Sequence, residues 1–142
     1  MPVIVAVDRD QSVTELVTEG AKLANAFDEE LEVVHVMKRE TFRELEEESV
    51  EETGKTVSLD NVRAMAREIS SDAIEDADVD GTAVGLVGKP ADEIVKYATK
   101  HDASYLVVGG RKRSAVGKAI FGSVTQSILL DAESPVVAVM GD

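Results

Sequence analysis

The segment SYLVVGGRKRSAVGKAIFGSVTQSILLDAESPVVAVM, residues 104–140, decides the fold. It holds two short apolar runs, SYLVVGG (104–110) and SPVVAVM (134–140), each bounded by turn-forming residues and too short for a buried helix. Such Val-rich runs read as strands buried on both faces. Between them lie a glycine-rich basic stretch and a short helix, predicted over 123–131. Working outward, the same alternation repeats towards the N-terminus. TAVGLVG (82–88) is a third such run, followed by a helix with Pro90 at its first position. Asp92 and Glu93 complement that helix's N-terminal dipole, and Lys100 and His101 its C-terminal one. LEVVHVM (31–37) and PVIVAVD (2–8) supply two more strands. Ser12-Val13-Thr14-Glu15 forms a capping box ahead of an apolar stripe through Val13, Leu16, Val17, Gly20, Leu23, Ala24 and Phe27. Residues 58–76 carry Leu59, Val62, Ala66, Ile69 and Ala73 at helical spacing.

Strands alternating with helices imply right-handed crossovers and a parallel sheet covered on both faces. The expectation is one α/β domain over residues 1–142, a doubly wound open sheet of five parallel strands. Strand order follows from Asp8, at the carboxyl end of the first strand. In open parallel sheets ligands sit outside the carboxyl ends, where the strand order reverses. Order 3-2-1-4-5 puts Asp8 beside the end of the fourth strand and its basic loop. Order 2-1-3-4-5 would separate them by a strand, so the first is expected.

The 142 residues are 44% hydrophobic and 30% charged, which argues against disorder. No apolar run approaches the roughly 20 residues of a membrane-spanning helix, and the N-terminus has no basic, apolar, small-residue leader pattern. Cysteine is absent, which removes disulfides, thiol nucleophiles and thiolate metal sites. With two histidines, a zinc centre lacks ligands. Fifteen basic against 28 acidic residues leave a net charge of −13, a field that repels nucleic acid and anionic membranes. A cytoplasmic protein with neither partner is expected. Residues 38–57, KRETFRELEEESVEETGKTV, hold seven Glu and read as a solvated loop or loose helix at the periphery. Glu44 with Glu48, and Glu47 with Glu51, would repel along it.

Against this acidic background one segment has the opposite sign. Residues 110–121, GRKRSAVGKAIF, carry Arg111, Lys112, Arg113 and Lys118 and no acid. At twelve residues they exceed the usual loop of about 4–6, and long loops in compact domains are often functional. The loop runs into Gly122-Ser123-Val124-Thr125-Gln126, where Ser123 and Gln126 are spaced as a second capping box. A helix N-terminus offers free amides and partial positive charge, so the combination reads as an anion cradle. The bland alternative is a basic loop docked on the protein's own acidic surface.

VIVAVD (3–8), VVHV (33–36), VGKPADEIV (87–95) and the 107–139 segment together resemble the universal stress protein family over nearly the whole chain. ATP-binding members follow Gly-x2-Gly-x9-Gly-Ser; Gly109 matches the first glycine and Gly122-Ser123 the last pair. The resemblance implies a Rossmann-like fold of the adenine nucleotide alpha hydrolase type, homodimers built on the last strand (134–140), and a role in stress response through a protein client. It also implies ATP or AMP as ligand, with a divalent ion such as Mg²⁺ held through the phosphates and no protein metal ligands. Carried over, it puts Asp8 near adenine and ribose, and Val36 on the adenine edge through its backbone. Gly109 would lie beside the ribose, and Gly122, Ser123 and Val124 on phosphate oxygens, with Arg111 and Lys112 nearby. One position departs: Lys112 stands in place of the middle glycine. A lysine there is strained if φ must be positive, fills the phosphate space, or binds phosphate as a point charge.

His35, between Val34 and Val36, reads as a packed histidine, and His101 as an exposed helix-end cation. No Ser/His/Asp or paired-carboxylate arrangement is legible, so at most slow ATP turnover is expected. Two readings compete: a nucleotide-binding regulator, and a dimeric interaction module of the same fold with an empty pocket.

Overall fold

The computed structural model describes residues 1–8, 13–54, 58–112 and 119–141. The apolar runs form β1 (Val3–Ala6), β2 (Leu31–Met37), β3 (Thr82–Val87), β4 (Tyr105–Lys112) and β6 (Val136–Gly141), all parallel. In sheet order they run β3-β2-β1-β4-β6, the 3-2-1-4-5 arrangement of five parallel strands. A further two-residue strand, β5 (Ala119–Ile120), pairs antiparallel with Arg111 and Lys112 at the end of β4. The expected twelve-residue loop is therefore partly regular: its first residues extend β4 and its last ones fold back on them.

Period-two alternation sorts the strand residues onto two faces. Val3, Val5, Val33 and Val107 face α1 (Val13–Ala26) and α3 (Leu59–Ala77), through Leu16, Val17, Ala21, Ala24 and Ala73. Ile4, Val34, Val36, Leu106 and Val108 pack on the other side with Ile94 and Ala98 of α4 (Pro90–Lys100) and Ile128 of α5 (Ser123–Asp131). Leu106 is fully buried, so Leu106→Ala would cost about 2–5 kcal/mol. Among the described residues, no helix is long and apolar enough to cross a membrane.

One open reading is resolved and two expectations change. Residues 39–53 are a helix, α2, because Phe42 and Leu45 find an apolar seat with Met37, Val62 and Ala66 that outweighs the like-charge repulsion along the outer face. It closes on Gly54, in the left-handed conformation with φ of 70°. Phe27 lies past the end of α1, half-exposed and stacked on Tyr105 at 5.6 Å rather than in the core. The capping box at the start of α5 is not formed. Gly122 is the N-cap and makes no side-chain bond, while the Gln126 side-chain Nε2 donates to the Phe121 carbonyl at 2.9 Å. The first capping box, at Ser12, lies outside the described residues, as do Arg113 and Lys118.

Candidate functional site

A cleft of about 250 Å³ opens at the carboxyl ends of the central strands. Ala6, Val7 and Asp8 line it from β1 and its continuation, His35, Val36 and Met37 from β2, and Val108 from β4. Its rim comes from helix starts: Lys38 and Thr41 at α2, Pro90 at α4, Val124 and Thr125 at α5. The β1–β4 pairing creates this place, because the chain crosses to opposite faces of the sheet on either side of it. Asp8 is exposed at the mouth, one residue beyond Val7. The other end of the sheet is acidic. A second cavity there is lined by Glu29, Glu30, Asp78 and Asp80, an acidic wall unsuited to an anion.

Local geometry fixes each wall. Gly88 has a φ of 147°, and a side chain on it would meet Glu93 at 2.8 Å. Its amide donates to the Met37 carbonyl at 3.0 Å, tying the entry of α4 to the end of β2 and delivering Pro90 to the rim. Thr125 is buried and donates its hydroxyl to the Gly109 carbonyl at 3.1 Å, which docks the first turn of α5 on β4. His35 Nδ1 lies 2.9 Å from the Val7 carbonyl, and the Val7 amide donates to the Val34 carbonyl at the same distance.

Gly122 and Ser123 are exposed at the head of α5, and the amides of the first turn have no intrahelical acceptor. Lys112 sits in a strand, paired with Ala119. The non-glycine residues with positive φ among those described are Asp28, Asp78 and Asp102, so the strain feared for a lysine at this position is not realised. Among the described residues no group of three or more His, Cys, Asp or Glu could hold a metal ion.

Of the residues singled out from sequence, the structure brings Asp8, Val36 and Val124 to one cleft, with Gly109 linked to it through Thr125. Gly122 and Ser123 stand at the adjoining helix start, and Arg111 and Lys112 at the end of β4. Lys38, Thr41, Pro90 and Thr125 were missed as site residues. Only Thr125 carried a legible signal, its place in the first turn after Gly122-Ser123.

The universal stress protein family model matches residues 1–140. This chain belongs to that family. Among solved structures, a universal stress protein from Archaeoglobus fulgidus is 27% identical and superposes with a TM-score of 0.68, covering 97% of each chain. A structure of the universal stress protein from that organism in complex with dAMP is 25% identical, with a TM-score of 0.64 over 97% of this chain and 96% of that one. The stress response protein NhaX of Bacillus subtilis is 32% identical over 80 residues, 56% of this chain and 46% of that protein. The match thus spans less than half of that relative. As a universal stress protein, the chain keeps the five-stranded parallel sheet.

Proposed function

We propose that this universal stress protein is a regulatory protein that binds an adenine nucleotide, ATP or AMP, in the cleft over β1 and β4. One observation carries the reading. Gly122 has φ −65° and ψ 166°, a conformation open to any residue, and among the described residues no atom beyond its chain neighbours lies within 4 Å of where its side chain would start. Nothing within the described chain needs a glycine there, whereas a phosphate resting on the amides of the first turn of α5 does. The relative that holds dAMP supports the same ligand class.

In this reading Val36 offers backbone polar groups to the adenine edge and the Asp8 carboxylate accepts from a ribose hydroxyl. Gly109 leaves room beside the sugar. Gly122, Ser123 and Val124 meet the phosphates through amides and the Ser123 hydroxyl, with Arg111 and Lys112 adding positive charge. A divalent ion such as Mg²⁺ would be carried by the phosphates. The nucleotide would alter contacts with a protein client in the cytoplasm, and a homodimer through β6 would present them.

Calorimetric titration with ATP and Mg²⁺ tests the reading. Wild type binds, Lys112→Ala weakens ATP more than adenosine, and Gly122→Val abolishes binding by blocking the approach of phosphate. If Lys112→Gly binds and wild type does not, the lysine fills the phosphate space and the native protein is the empty-pocket module. If neither binds any adenine nucleotide at millimolar concentration, the nucleotide reading is wrong.

A further inference from the structure

We infer that His35 is a positioning residue for Asp8, and through it for selection of the ligand's sugar; the sugar part rests on the nucleotide reading above. β1 ends at Ala6, so Val7 and Asp8 continue past the last residue with a ladder partner on β4. Two bonds from β2 hold this overhang. The Val7 amide donates to the Val34 carbonyl at 2.9 Å, and the Val7 carbonyl lies 2.9 Å from His35 Nδ1. A carbonyl only accepts, so Nδ1 carries the proton, and in the neutral ring Nε2 is left as an acceptor. The Val7 carbonyl belongs to the same planar peptide as the Asp8 amide. Fixing that oxygen therefore fixes the plane from which the Asp8 Cα departs.

His35 is 8% exposed and lines the cleft together with Val7 and Asp8. Its neighbours on β2 pack in the core on the opposite face, and apolar residues would satisfy packing at this position as well. An imidazole is needed for one thing that Val or Leu cannot supply, a donor to the Val7 oxygen. A carboxylate at a cleft mouth discriminates ligands by hydroxyl geometry only if its backbone does not wander, since small misplacements weaken a hydrogen bond steeply. His35 supplies that rigidity to an otherwise exposed Asp8.

Two sets of measurements separate this inference from the nucleotide reading. Without ligand, ¹⁵N NMR of the histidine-labelled protein at neutral to mildly alkaline pH should show His35 as the Nδ1–H tautomer. The Asp8 amide resonance should move in His35→Phe and return in His35→Asn, whose side-chain amide can donate from the place of Nδ1. An Nε2–H tautomer in wild type, or an Asp8 resonance indifferent to both substitutions, overturns the inference whether or not nucleotide binds; the tautomer measurement stands even if His35→Phe fails to fold. With ligand, wild type should prefer ATP to its 2′,3′-dideoxy analogue by about tenfold to a hundredfold, the worth of one hydrogen bond to a charged acceptor. His35→Phe and Asp8→Ala should each erase that preference while keeping affinity for the dideoxy analogue, the double variant should add nothing, and His35→Asn should restore it. A preference that survives in His35→Phe overturns the sugar-selecting role. If wild type binds neither nucleotide, the reading of the site and the sugar-selecting role fall together, and the NMR outcomes alone decide the hold on Asp8.

Discussion

The Thr125 hydroxyl donates to the Gly109 carbonyl at 3.1 Å, joining the first turn of α5 to β4. Both residues are near the cleft, Thr125 in its lining, and the bond sets how the free amides of α5 stand over β4. Thr125→Val keeps the shape and leaves the carbonyl without this donor. We expect a loss of about 1–3 kcal/mol of stability, read from the urea midpoint at unchanged m-value, and weaker ATP binding. Thr125→Ser should restore both; equal behaviour of the Val and Ser variants would refute the role.

Tyr97 on α4 reaches β2 and donates its hydroxyl to the Glu32 carboxylate. Burial, and then that bond, hold the phenol proton far above the ordinary tyrosine range. The sign follows directly. Folded Tyr97 keeps its proton where the unfolded chain releases it, so its contribution is complete below about pH 10 and fades as pH rises above that value. Urea midpoints from about pH 8 to pH 11 should fall more steeply for wild type than for Tyr97→Phe. Parallel curves would count against the assignment.

The proposed dimer has a sharp test in β6. The Leu106 amide donates to the Pro135 carbonyl at 2.9 Å, and Leu106 stands opposite Val136. In a parallel ladder the next amide turned towards β4 is that of Val137, and the Ala138 amide faces the open edge. Ala138→Pro should therefore block pairing of β6 with a second copy and leave the β4–β6 ladder intact. Sedimentation should report monomer for this variant and dimer for wild type at both low and molar salt. A monomeric wild type sinks the proposal.

Charge makes the fourth prediction. The chain carries −13, and the ion pairs recorded among the described residues, Lys22–Glu19 at 2.9 Å and Arg63–Asp60 at 3.5 Å, are surface pairs of little worth. Self-repulsion should be screened within roughly 10 Å at 0.1 M salt. Melting temperature should rise steadily with KCl, and a flat or falling trend would contradict this account.

What the sequence determined by itself is local. Val- and Ile-rich runs such as VIVA at 3–6 and LEVVHVM at 31–37 have no helical face to bury, so they become strands, and their alternation with helices of period 3.6 leaves a parallel sheet as the consistent packing. The glycine spacing from 109 to 122 was legible for the same reason, since it lies within one contiguous segment. The helical seat of residues 39–53 was not, because seven Glu dominate the segment while Phe42 and Leu45 show their use only against Met37 and Val62. Only the tertiary structure put Lys38, Thr41, Pro90 and Thr125 around one opening and laid Lys112 in an antiparallel pair with Ala119. The His35–Val7 bond joins residues 28 positions apart. Such contacts depend on which strands become neighbours, and pairing is settled by packing across the whole sheet, which no periodicity within a single segment encodes.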